Sequence, residues 1–369
     1  WVLVLTGFFR PHRPPALQKS EPRAPRVTSF SSVHSSGSQP WAQKVRSMAA
    51  RSIDVWTLLD FYDKLGPGGE VMWHFDPQRH TTNDVVRCAI VPLSCEGDGS
   101  GGFSYAQAYA TSSDHPAECM VTHDWRNLFV DLVAGVMADA LGLDEYQSIA
   151  ASLVCEGTAG VRASVLEAGT AARRYWICAF CVNQHASICG GFGPEPPEGT
   201  PEHERWDRNR HDSVTGDLHQ CCLCREPKVF NDTPDRCELN KFDDMMSLLH
   251  RAVPGFRQLI TVDQHFQLFS RLWCIAELVE AHHSGIPQHV CVPSNDALAH
   301  DNEDLSIYVK LANLRVTECS ASRPEDKACI LAKIPDTDEF DAQLQTLIFG
   351  ARGIMSQRLP GFDVPLSAP

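Results

Sequence analysis

Residues 259–281, LITVDQHFQLFSRLWCIAELVEA, decide how the rest of the chain is read. The stretch opens with an apolar run carrying the β-branched Ile260, Thr261 and Val262, breaks at Asp263 and Gln264, and regains helical spacing after Ser270. Strand, short loop and helix is the expected order. On a helical wheel Leu272, Cys274, Ile275, Leu278 and Val279 share one side, which leaves Trp273, Glu277 and Glu280 on the other. Glu277 is therefore expected to point away from the core. A carboxylate with an aromatic residue four positions before it, on the open face of a helix that follows a strand, suits the mouth of an α/β site. The ordinary alternative is a solvated surface glutamate.

Working upstream, LNKFDDMMSLLHRA at 239–252 spaces Leu239, Phe242, Met245, Met246 and Leu249 as the inward face of a helix. RYWICAFCVN at 174–183 is nearly continuous in apolar residues and predicts a buried strand. A helical stretch over 146–166 is broken near Gly157 and Gly160. Before it, a short strand at Cys119–Thr122 leads through His123, Asp124 and Trp125 into a helix striped by Leu128, Phe129, Leu132, Val133, Val136 and Leu141. Asp124 is placed as that helix's N-cap. Downstream, QHVCVPS at 288–294 predicts another strand, and helices are expected near 304–312 and over FDAQLQTLIFG. Strand and helix alternate from Cys119 onward, which predicts a flavodoxin-like α/β fold: a mostly parallel sheet with helices on both faces. No internal repeat interrupts it.

The ends read differently. Residues 1–50, rich in Pro, Ser, Arg and Gln, offer little apolar surface against the entropy of ordering and are expected to be disordered. An extension over 51–115 is expected to pack on the core, with IDVWTLLDFYDKL as a helix and VVRCAIVPLS as a strand. The α/β domain then spans 116–350, with a Cys/His-rich insertion at 185–237 and a tail at 351–369.

The 369 residues carry a formal charge of -14. No basic excess exists to displace counterions from phosphates, which argues against nucleic acid, and anionic membranes are disfavoured for the same reason. No stretch reaches the roughly 20 apolar residues of a membrane span, and a soluble protein is expected. Of the fifteen cysteines, an odd number, seven fall between Cys178 and Cys237. That pattern fits metal binding in a reducing, cytoplasmic setting better than a disulfide framework.

His185 and Cys189 lie four apart; Cys221, Cys222 and Cys224 follow a long polar loop; Cys237 precedes a helix. Close pairs separated by a loop suit a tetrahedral zinc site, with four ligands drawn from His185, Cys189, Cys222, Cys224 and Cys237. A complete set of protein ligands makes the role structural. Reduced, unligated thiols are the alternative. Cys178 and Cys181, on opposite faces of a strand, are expected to be buried structural thiols. H-E-x-x-H, G-x-S-x-G and phosphate-loop patterns are absent.

MVTHDWRNLFVDLVAGVMADAL resembles the first strand and helix of Toll/interleukin-1 receptor (TIR) domains. Trp273, Cys274, Ile275, Ala276, Glu277 and Leu278 resemble the Trp-Cys-hydrophobic-x-Glu-Leu helix of the plant type. A second likeness, to a protist family combining this helix with Val182–His185 and the N-K-F-D-D-M-M run at 240–246, covers most of residues 52–350 and brings no activity. The TIR resemblance implies a signalling or scaffold module with protein partners and self-association. In TIR domains that cleave NAD it implies a nucleosidase, with Glu277 as the essential carboxylate and NAD as substrate. His123, Asp124 and Trp273 would then line the nucleotide site. A fixed carboxylate is suited to that chemistry, because losing nicotinamide builds positive charge on the ribose. Two departures stand out: Arg271 occupies a position where that type carries Ser, and the cysteine-rich insertion replaces a short glycine-bearing loop.

Overall fold

The computed structural model describes residues 38–109, 116–294, 309–321, 323–350 and 353–355. Five strands form one sheet: β1 Ile53–Asp54, β2 Cys119–Thr122, β3 Arg174–Ile177, β4 Arg257–Thr261 and β5 Gln288–Cys291, in the order β1-β3-β2-β4-β5. The last four are parallel, in the register Cys119↔Tyr175, Cys119↔Arg257 and Gln258↔Gln288. β1 joins the edge antiparallel to β3. The expectation of a mostly parallel α/β sheet is met in this form.

Successive strand residues feed different cores, as the period of two requires. Cys119, Val121, Tyr175, Ile177 and Leu259 join one apolar layer. Met120 and Trp176 join a second, and Ile260 and Val290 a third. Both faces are thus covered. On one, the Phe129–Ala140 helix comes close to β4 because residue 135 is glycine; a Cβ there would sit 2.5 Å from Thr261 Cγ2.

Several expectations are corrected. The start of the chain is not wholly disordered: Gln39–Ala49 is a helix, capped by Ser38, that buries Trp41, Val45 and Met48 against Trp176, Met245 and Met246. Residues 1–37 lie outside the described residues. VVRCAIVPLS is helical rather than extended. Thr81 and Asp84 form a capping box that starts the helix, Val85, Val86, Ala89 and Ile90 are buried, and the backbone widens to a π turn before Pro92, which has no N–H to return. Within 174–183 only Arg174–Ile177 is strand; Cys178–Cys181 coils into one helical turn. Asp124 is not an N-cap, because its carboxylate is taken by Arg126 and the Phe129–Ala140 helix begins at Leu128. The insertion holds a helix, Pro201–Arg210. The 51–115 extension does pack on the core, with Leu58, Phe61 and Val85 in one apolar layer with Phe129 and Phe180.

Val55–Asp63, Gln147–Glu156, Ala159–Glu167, Phe242–Ala252, Leu272–His283 and Thr337–Phe349 follow the sequence, while the helices Tyr105–Tyr109 and Pro324–Leu331 are additional to it. Most of the expected 304–312 helix and nearly all of the 351–369 tail lie outside the described residues. No helix among the described residues is long and apolar enough to cross a membrane.

Candidate metal centre and the buried Glu277

β3 ends at Ile177, the helical turn Cys178–Cys181 follows, and Asn183 then caps a short 3-10 turn that carries His185. The imidazole is fully buried and its orientation is settled by its neighbours. Ser94 Oγ donates to Ile90 O at 2.7 Å, so at His185 Nε2, 3.1 Å away, it acts as acceptor. The ring proton is thereby held on Nε2, and the Nδ1 lone pair faces Cys224 Sγ at 3.5 Å and Cys222 Sγ at 3.8 Å. Cys189 Sγ lies 3.6 Å from Cys224 Sγ. The four ligand atoms of His185, Cys189, Cys222 and Cys224 all fall within 4.8 Å of one another.

Those separations can be set against a metal. A tetrahedron with zinc–sulfur bonds of about 2.3 Å and a zinc–nitrogen bond of about 2.1 Å has edges of roughly 3.8 Å between sulfurs and roughly 3.6 Å from sulfur to nitrogen. Three of the six separations, from Cys189 to Cys224 and from His185 to Cys222 and to Cys224, match those edges, and the other three stay within 4.8 Å. Local structure keeps them there: Cys222 N donates to Cys189 O at 2.7 Å, and Val229 N to Ala186 O at 2.8 Å. Gly102 packs against the imidazole, and a Cβ at that position would collide with Cδ2, Cγ and Nε2 of the ring. Asn183 Nδ2 donates to Gly102 O, while Asn183 Oδ1 accepts from His185 N. Burial, then the Lys228 cation, lower the His185 pKa, which favours the neutral ligand form. Burial pushes the Cys189 thiol up to about 12, so metal binding there must displace a proton. Lys228 Nζ, 3.8 Å from Cys224 Sγ, places positive charge beside the sulfurs that a bound metal would hold as thiolates.

Four of the five expected ligands meet. Cys237 does not: it is buried, 3.8 Å from Asn231 Oδ1, at the foot of the Phe242–Ala252 helix, and takes no part in the cluster. A neighbour that spacing could not reveal is Cys95, whose Sγ is 3.9 Å from Cys222 Sγ.

Glu277 lies elsewhere, and its expected outward orientation is corrected. The Leu272–His283 helix is buried all round, with Glu277 only 7% exposed and Glu280 fully enclosed. A wheel accounts for one partner layer; here the helix lies between the sheet and further helices, Phe242–Ala252, Pro324–Leu331 and Thr337–Phe349. Glu277 Oε2 accepts from Thr122 Oγ1 at 2.6 Å, and Thr122 Oγ1 accepts from Gln258 Nε2 at 2.7 Å. Burial pushes the carboxyl up to about 8, the Asp243 charge adds to this, and the Thr122 bond opposes it.

The other residues expected at a nucleotide site are engaged with the protein itself. Asp124 is buried and bound by Arg126, with the Arg271 guanidinium 3.9 Å away. Arg126 continues to Gln267 O and Ser270 Oγ. His123 is buried against Val121 O, and burial lowers its pKa to about 4. Trp273 tilts against Phe242 with 6.1 Å between ring centroids. After β4, the Asp263 carboxylate accepts the backbone N–H groups of His265, Gln267 and Leu268. The ends of β2 and β4 are therefore closed over by their own side chains.

Compared with known proteins, the chain matches no family model, no curated protein and no solved structure.

Proposed function

We propose that the chain is a signalling or scaffold module built on a TIR-like α/β domain, whose cysteine-rich insertion is fastened by a structural zinc ion. The observation that carries this reading is the convergence of His185, Cys189, Cys222 and Cys224 within 4.8 Å of one another, three of their separations at the edge lengths of a zinc tetrahedron and the four filling its coordination. Zinc also fits by chemistry, since three thiolates and an imidazole are a borderline-soft donor set. The parallel strands run β3-β2-β4-β5, the arrangement of a flavodoxin-like sheet without its last strand, which supports the TIR-like part.

The nucleosidase reading is weaker on two counts. Glu277 is sealed beneath Thr122, and with its pKa near 8 it is largely neutral at pH 7. A protonated carboxyl carries no charge to stabilise an oxocarbenium-like ribose. What favours it is position, for Glu277 meets Thr122 at the carboxyl end of β2, beside β4, where ligands of open α/β sheets bind.

One preparation decides between them. The full chain, purified with zinc present, should retain metal that a Cys222→Ser/Cys224→Ser variant loses, and with NAD it should release no more nicotinamide than Glu277→Gln. Nicotinamide release that Glu277→Gln abolishes would overturn the scaffold reading. Metal content unchanged in the cysteine variant would overturn the zinc site.

A further inference from the structure

A second set of metal-binding side chains lies where the 74–88 region meets the insertion, and it stands independently of the TIR reading. The ligand atoms of His74, Cys88 and Asp212 all lie within 4.8 Å of one another, and so do those of Asp84, Asp212 and His219. Asp212 belongs to both groups, and Cys88 Sγ is 3.4 Å from His219 Nδ1. We propose that His74, Cys88, Asp212 and His219 bind a second zinc-type divalent ion, with Asp84 and His80 orienting the ligands.

The hydrogen bonds around these residues turn the candidate ligand atoms toward one another, His74 Nε2 to Asp212 Oδ2 and Cys88 Sγ to His219 Nδ1, contacts that an ion between them would replace. Asp212 Oδ1 is occupied: it accepts the Val214 and Thr215 backbone N–H groups, each at 2.9 Å, and His80 Nε2 at 3.2 Å. His80 is fixed for that role, because the Asp76 N–H donates to its Nδ1 at 2.7 Å and the ring proton is then on Nε2. Oδ2 of Asp212 has His74 Nε2, a fellow candidate ligand, as its hydrogen-bond partner at 3.0 Å. On the opposite side Asp84 Oδ2 is bound by Thr81 and Ser213, while its Oδ1 stands 3.2 Å from His219 Nε2. A carboxylate behind a histidine whose other nitrogen faces a thiol is the usual support of a metal-bound imidazole.

His219 provides the second indication. The residue is 3% exposed, yet its Nε2 makes no hydrogen bond of acceptable direction despite the nearby Asp84. The donors, two imidazoles, a thiolate and a carboxylate, are all ones that zinc accepts in a tetrahedron. Cys88 sits in the π turn Val86–Ile90, so the ion would join that turn to the 74 loop and to the 212–219 loop. His219 and Cys222 are three residues apart, so their Cα atoms can be no more than roughly 11 Å from each other. The two ions would fasten the two ends of one short segment.

The test counts metal in the full chain after equilibration with zinc and gel filtration. The expected result is about two zinc equivalents. Cys88→Ser and His74→Ala should each keep about one, and Cys222→Ser/Cys224→Ser should keep the other. Cobalt substitution of the unaltered chain supplies a readout that needs no variant: a three-thiolate and a one-thiolate chromophore should fill as separate steps. A single equivalent lost only in the Cys222/Cys224 variant overturns the second site and leaves the first standing. Two equivalents retained in both Cys88→Ser and His74→Ala, or a single cobalt chromophore, overturn it as well.

Discussion

At neutral pH most Glu277 side chains carry a proton, because burial raises the carboxyl from its ordinary 4.5 to about 8. The folded group titrates above its unfolded value, so its contribution to stability is whole below about pH 4.5 and is lost as the pH climbs through 8. A loss on the order of 4 kcal/mol is expected across that window. Glu277→Gln keeps an oxygen for Thr122 and removes the titration. Denaturant melts at pH 5 and pH 8 should therefore show the variant losing much less stability than the parent; equal losses would mean that the carboxylate is hydrated in the fold. Gly102 permits a second test. Alanine there drives a methyl group into the His185 ring, and zinc affinity should fall by about 10- to 100-fold, the range for losing support behind a ligand, as measured by chelator competition.

Among the elements, the insertion depends most on its metal. The Pro201–Arg210 helix buries no residue fully, and mainly loop connects it to the rest, so little apolar burial offsets the entropy of ordering it. Removing zinc with a strong chelator should open 190–236 to proteases while a core fragment survives. Digestion spread evenly over the chain would contradict this. The insertion also marks how far the sequence could be read. Most helices and strands from Cys119 onward were legible from their apolar patterning, whereas Pro201–Arg210, with no buried residue, and Pro324–Leu331, with only two, gave no such signal. His185, Cys189, Cys222 and Cys224 were legible because close spacing limits what folding can do with them. Cys95, His74, Cys88, Asp212 and His219 were not, because they come from separate segments that only the tertiary fold brings together. Cys237 looked equivalent by composition, yet the turn before the Phe242–Ala252 helix carries it elsewhere. Glu277 was misjudged because a helical wheel cannot count the layers around a helix, and VVRCAIVPLS because its β-branched residues hid the Thr81/Asp84 cap.

At the scale of the whole molecule, one buried and one partly buried ion pair join distant parts. Arg51 donates to both oxygens of Glu238, at 2.7 and 2.8 Å, and Asn183 N donates to the same carboxylate. The Gln39–Ala49 helix is thereby anchored at its end as well as along its face. Removing residues 1–50 would bare Trp176, Met245 and Met246, at a cost of roughly 1.5–3 kcal/mol for each large side chain uncovered. The truncated chain should melt earlier and aggregate, and an unchanged melting temperature would show the helix to be dispensable. Across the sheet, Asp139 accepts from Tyr175, Arg257 and His289. Asp139→Ala leaves a half-buried guanidinium unpaired and should cost roughly 3–5 kcal/mol in denaturant melts.

The strand order also governs the time course of folding. β2 lies between β3 and β4, so Cys119 must wait for Arg257 before the sheet has its middle. On a ribosome the first half of the chain emerges with one side of that strand unpaired and apolar residues of the future core exposed, and such distant pairing is slow to form. During that interval the nascent chain is open to strand capture by its neighbours, so its yield in cells should depend on the rate of synthesis as well as on the final stability of the fold.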